Sequence, residues 1–235
     1  MTGRVLGRTI GRIMQLENNP RTRRVLKRML EIEDRLTGKA FPSMERSHQI
    51  SVYACGPATL EMLFSFMGVR VSQTSLIRSI RATNKIKVYG IDVNDMAKAA
   101  NIKGKKNYSF WRKQYANVSD LDSIVNKYKY PVGVEWQGVF YENDDEDSGH
   151  YGVITKIDKE SGYLRIADPY FNGYFDFNGI DRKFKISEFK KKWWDENEVK
   201  VAGRTKTRMV RDTRMMFLIT PSGETWPRRL GMVKK

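Results

Sequence analysis

The chain of 235 residues holds one cysteine, two histidines and seven prolines. A single thiol excludes an internal disulfide framework and any thiol cluster for structural zinc. No run of about 18 apolar residues occurs, so no transmembrane helix is expected. Arg8 and Arg12 interrupt the apolar core that a signal peptide needs, and the expected location is cytoplasmic or particle-associated. There is no phosphate-cradling Gly-rich loop, metal-ligand motif or dinucleotide fingerprint, so no cofactor or metal is expected. The acidic run Glu142-Asn-Asp144-Asp145-Glu146-Asp147 lacks the Gly and terminal Glu spacing of an EF-hand and reads as a loop.

What is present suits a globular protein. Apolar residues make up 40% of the chain, charged residues 30%, and the mean hydropathy is -0.58. The formal charge of +16 is unevenly placed. Residues 1–48 carry eleven Lys/Arg against five Asp/Glu, and residues 197–235 carry ten against three, so the body between them is nearly balanced. Basic ends of this kind meet something acidic: a protein, a nucleic acid or an anionic surface.

Three Gly-Arg tetrapeptides open the chain, from Gly3 to Met14. On a helix they would place Arg4, Arg8 and Arg12 opposite Val5, Leu6, Ile10, Ile13 and Met14. Each glycine costs such a helix about 1 kcal/mol relative to Ala, so the arm is expected to fold only against a partner or the body. Asn19 and Pro20 then start a helix that ends at Gly38. Further helices are expected from Gly56 to Gly68, after Ser72, from Asp92 to near Gly104, and from Ser119 through Val125. Beyond Pro131 the period changes to that of strands, clearest at 132–136, 150–157, 163–167 and 215–219. The string from Arg204 through Arg214 alternates charge at strand spacing. Helices first and strands second indicate an α+β fold with segregated halves. The expected division is 1–48, a basic arm and helix; 49–220, a catalytic domain; and 221–235, a basic tail.

The chemistry centres on Gln49-Ile-Ser-Val-Tyr-Ala-Cys55-Gly56-Pro57. A thiolate is a far better nucleophile than a thiol, and a helix N-terminus favours the charged form. His150 begins a strand-like run and can activate Cys55 and later protonate a leaving amine. Asp168, ending the run from Tyr163, can hold the imidazole in the working tautomer. Gln49 offers N–H donors to the oxyanion of a tetrahedral intermediate, beside the backbone N–H of Cys55. His48 directly precedes Gln49 and does not open a strand, which leaves His150 as the base.

These residues carry a resemblance. The chain resembles the bacteriocin-processing (double-glycine leader) cysteine peptidases of the papain-like superfamily and their stand-alone relatives. The likeness lies in Gln49 six residues before Cys55-Gly56-Pro57, in His150-Tyr151, in Asp168-Pro169, in Gly90 leading into a helix, and in Phe189-Lys-Lys-Lys-Trp193. It runs from about Gln49 to Thr220 and implies a papain-like fold, with the Cys helix packed on an antiparallel sheet carrying His and Asp. It also implies cleavage of peptide or protein substrates, and a processing role. Neither the transporter body of the leader peptidases nor a reason to transfer their double-glycine specificity is present. Two other readings stay open: a basic structural or assembly protein reusing a peptidase fold, and an acyl transferase of the same fold.

Overall fold

The structure, a computed structural model, describes residues 40–41, 43–87, 90–138, 149–170, 181–200 and 207–235. The Gly-Arg arm, the helix expected from Asn19 to Gly38, and the acidic run 142–147 lie outside the described residues. Helix α1 spans Cys55–Phe66. Pro57 sits in its first turn, where the missing N–H costs no intrahelical bond. The first such bond runs from the Ala58 N–H to the Ala54 carbonyl, 3.0 Å. Leu60, Met62, Leu63, Phe64 and Phe66 are all buried, so α1 is a central rather than a surface helix.

Capping sets the next helices. Ser72 accepts from the Ser75 N–H, 3.2 Å, and starts α2, Gln73–Ser79. Asp92 accepts from the N–H groups of Asn94 and Asp95, 2.8 and 2.9 Å, and starts α3, Val93–Gly104. The fourth helix, α4, Val118–Asp122, begins one residue earlier than the sequence suggests. Its cap is Asn117 in a reciprocal capping box with Asp120, and it continues as a π-helical turn, Ser123–Tyr128.

The strands are β1 Tyr108–Lys113, β2 Val132–Gln137, β3 Gly149–Asp158, β4 Tyr163–Ala167, β5 Arg182–Lys185, β6 Trp194–Lys200, β7 Thr207–Thr213, β8 Met216–Pro221 and β9 Val233–Lys234. A short helix α5, Ile186–Lys192, links β5 to β6, and a turn α6, Trp226–Arg229, precedes β9. Seven strands form one antiparallel sheet in the order β5-β4-β3-β2-β8-β1-β9, and β6 and β7 form a separate hairpin. The halves are therefore less segregated than expected, because β1 comes from the helical half yet lies between β8 and β9. Phe110 and Trp111 are both buried, and the Trp111 indole N–H donates to Thr220 Oγ1, 3.0 Å. Burial on both faces erases the period-two signal that marks a strand.

Every residue of β2 is buried. Gly133 sits beneath the Phe217 ring, where an added Cβ would lie 2.2 Å from a ring carbon. The buried Phe64, Phe110, Phe189 and Phe217 each contribute about 1.5–3 kcal/mol of hydrophobic stabilisation. Residues 226–235 return to the body. Trp226 stacks on Tyr128 with centroids 4.1 Å apart, and the Lys235 N–H donates to the Phe110 carbonyl, 3.0 Å. No described helix is long and apolar enough to cross a membrane.

Candidate active site

Three segments that are distant in sequence converge at the start of α1. The loop before it is tied down by backbone and amide hydrogen bonds. The Gln49 N–H donates to the Pro169 carbonyl, 2.9 Å, which joins this loop to the turn after β4. Gln73 accepts from the Ile50 N–H, 3.0 Å, and donates to the His48 carbonyl and to Glu61, both 2.8 Å. Cys55 then occupies the first helical position, half-buried, with its own N–H and that of Gly56 preceding the first intrahelical bond.

His150 is the second residue of β3, opposite Trp136 of β2. Its Nε2 lies 2.8 Å from Asp168 Oδ1, and the pair is almost fully buried, at 3% and 1% exposure. The ring also hydrogen-bonds with Cys55. With Nε2 engaged by Asp168, Nδ1 is the nitrogen available to the sulfur. Burial works to lower the His150 pKa, but the Asp168 charge and hydrogen bond, with Cys55, outweigh it and raise the value to about 10. Burial likewise works to raise Asp168, yet His150 and Arg182 hold its carboxyl below the usual range. Trp136 lies beside the imidazole, ring centroids 6.5 Å apart, and is itself packed against Phe184 and Phe189, with Trp193 behind Phe189, an apolar backing on that side that strengthens charge interactions.

Gln49 is 3% exposed, and its Nε2 donates to the Val52 carbonyl, 2.8 Å. That carbonyl fixes the amide orientation, since a flipped amide would set two acceptors face to face. One Nε2 hydrogen remains for another acceptor. Ile50, Val52 and Tyr53, just ahead of Cys55, are exposed.

The structure thus brings Cys55, His150 and Asp168 together and ties Gln49 to the same turn. It adds Arg182, whose Nη1 donates to Asp168 Oδ2, 2.7 Å. Nothing in its Lys/Arg-rich surroundings marks this arginine out in the sequence. A second buried acidic group was also not visible there. Glu135, opposite Tyr151, accepts from the Tyr151 hydroxyl and from Asn197 Nδ2, 3.1 Å. Asp195 and Asp212, from the β6–β7 hairpin, lie close enough to raise it electrostatically. No group of three His, Cys, Asp or Glu among the described residues is arranged to hold a metal.

This is the α+β, papain-like arrangement, with the Cys helix packed on an antiparallel sheet that carries His and Asp. No relative among the curated proteins matches the chain. Among solved structures it is similar to the peptidase domain of Streptococcus ComA, a bi-functional ABC transporter involved in a quorum-sensing pathway. The identity is 18% and the TM-score 0.49, over 74% of this chain and 96% of that one, a likeness too distant to bear on substrate. The model of the Peptidase_C39 like family matches residues 39–200. That span takes in the Cys55 helix, the His150 strand and the Asp168 turn, and the chain belongs to the Peptidase_C39 like family.

Proposed function

We propose that this protein is a cysteine peptidase that cleaves peptide bonds through Cys55, His150 and Asp168, with Gln49 as an oxyanion donor. The observation that carries this reading is the buried imidazole held between Asp168 and Cys55. The Cys55 thiolate adds to the scissile carbonyl carbon. The oxyanion accepts hydrogen bonds from the Cys55 N–H and the second Nε2 hydrogen of Gln49. The His150 imidazolium protonates the leaving amine as the tetrahedral adduct collapses to a thioester. Water, deprotonated by His150, then hydrolyses the thioester and regenerates the thiol. Exposed Ile50, Val52 and Tyr53 would line the approach to Cys55 and favour an apolar stretch of substrate. The family resemblance extends the proposal to processing of a precursor, and the basic ends suit an acidic partner.

Alkylation by iodoacetamide against pH tests it. Cys55 should still alkylate readily at pH 6, and His150→Ala should slow that reaction about tenfold or more by removing the imidazolium. Digestion of a peptide library should show cleavage that Cys55→Ala abolishes. A thiol unreactive at pH 6, with no cleavage in the library, would return the chain to the reading of an assembly protein.

A further inference from the structure

We propose that Arg182 is the positioning residue of this site: it clamps the Asp168 oxygen that His150 does not use and so fixes the carboxylate on the imidazole. The inference rests on the Cys55–His150–Asp168 reading and extends it to a residue on another strand.

A carboxylate held at one oxygen can turn about its Cβ–Cγ bond and lose its partner. Asp168 is held at both. Oδ1 accepts from the Tyr170 N–H, 3.0 Å, and faces His150 Nε2, 2.8 Å, while Oδ2 accepts from Arg182 Nη1, 2.7 Å. Asp168 follows the last residue of β4, so strand pairing alone leaves its side chain free to turn. Arg182 is itself firmly placed. It pairs with Ile166 in the β4–β5 register, and its guanidinium lies 4.9 Å from the Phe184 ring centroid. Its neighbour Asp181 accepts two hydrogen bonds from Arg46, 2.9 and 2.7 Å, and one from Thr155, 2.5 Å, which pins the entry to β5.

The charge acts beyond the geometry. Among the described residues, the charged or titratable groups that act on His150 are Cys55 from α1, Asp168 from the end of β4 and, through Asp168, Arg182 from β5; Trp136 of β2 is uncharged. The guanidinium favours the ionised form of Asp168. It also takes a share of that negative charge and disfavours a second cation nearby, so His150 holds its proton less tightly than it would with Asp168 alone. Removing the charge at position 182 should therefore raise both the acid midpoint of Asp168 and the alkaline midpoint of His150. A guanidinium that only supports β5 would move neither.

The test is an NMR titration of the His150 ring in Cys55→Ala protein, which needs no turnover. The chain has two histidines, so His48→Gln assigns the signals. Arg182→Met should shift upward both the inflection that the ring senses from Asp168 and its own. Arg182→Lys should return both toward the starting values. If the Met variant does not fold, Arg182→Gln, which keeps a donor for Oδ2 without the charge, is read in its place. With Cys55 intact, Arg182→Met should lower kcat, by up to about 10²-fold if the imidazole is misplaced by around 1 Å, with KM little changed. Unmoved midpoints in a folded Met or Gln variant overturn the inference, even in a protein that cleaves peptides well. Shifted midpoints in a protein that cleaves nothing uphold it and sink the peptidase reading alone.

Discussion

Asp168 is 1% exposed and has two cationic neighbours, His150 and Arg182. Glu135 is fully buried on the adjoining strand pair and has two acidic neighbours, Asp195 and Asp212. Burial penalises the charge of both, and the sign of the neighbours decides the outcome. Asp168 is held below the usual carboxyl range, whereas Glu135 is pushed well above it. The second oxygen of Glu135 has no hydrogen-bond partner among the described residues, so nothing there compensates a charge on it. Asp212 is also raised, by its own burial. Gln114 donates to Asp212, and Gln137 donates to Asp195 Oδ1, 3.1 Å. The same sheet thus favours an ionised carboxylate beside the imidazole and a protonated carboxyl beneath the β6–β7 hairpin. The two regions meet at Gly149, next to His150, where an added Cβ would lie 2.2 Å from Asp195 Oδ1.

The largest effect expected comes from neutralising the charged member. Asp168→Asn should leave the backbone in place but present an amide to His150 Nε2, favouring the wrong tautomer. Turnover should fall on the order of 10³–10⁴-fold, the loss seen when a triad acid is replaced in this way. Steady-state kinetics on any peptide found in the library digest measures it. A loss of only a few fold would mean that His150 is oriented by something other than Asp168, and the contrast between the two acids would lose its functional half.

These two regions also differ in how far they could be read in the sequence. Cys55, His150 and Asp168 are rare or punctuating residues: a lone thiol before Gly-Pro, one of two histidines at a strand start, and an Asp-Pro turn. Their surroundings announce them. Glu135 lies inside a largely apolar strand, and Asn197, Asp195 and Asp212 reach it from a hairpin some 60 to 80 residues later, a pairing that no local pattern encodes. Helix starts were legible where one side chain caps the chain, as at Ser72 and Asp92. They were less so at Asn117, whose cap is completed by Asp120 three residues on. The strand at Tyr108–Lys113 was hidden because tertiary burial, not alternation, makes it a strand.

Removing Glu135 altogether should act on stability more than on chemistry. Glu135→Ala deletes the acceptor of Tyr151 and Asn197, opens a cavity beneath the hairpin and leaves buried donors unpaired. About 2–4 kcal/mol of unfolding free energy should be lost, as for other buried truncations that strand polar groups. Urea denaturation at pH 6 reads this directly. A loss below about 1 kcal/mol would mean that the hairpin is docked by its apolar and aromatic contacts, with the acidic group contributing little.

The smallest and most discriminating effect is a slope. A buried acid with a raised pKa keeps a proton that the unfolded chain has released, so stability falls as pH rises above the unfolded value. For Glu135 the ordinary value is 4.5, and the decline should begin there. His150 works over a different window. Its pKa is raised from 6.5 to about 10, so its contribution is complete below pH 6.5 and is lost between 6.5 and 10. Asp168, lowered from 3.8, costs stability only as pH falls below that value. Between pH 5 and 6.5 the Glu135 group therefore dominates, with a slope of at most about 1.4 kcal/mol per pH unit for one proton held. Glu135→Gln keeps an acceptor for Tyr151 and Asn197 and does not titrate. In urea melts across that window the wild type should lose stability with rising pH, while Glu135→Gln loses it less steeply, with only Asp212 left as a raised acid in this group. Catalysis should change less than about twofold, because Glu135 touches neither Cys55 nor Asp168. A wild-type slope no steeper than that of the variant would show that Glu135 holds no extra proton, and the contrast with Asp168 would reduce to one of position alone.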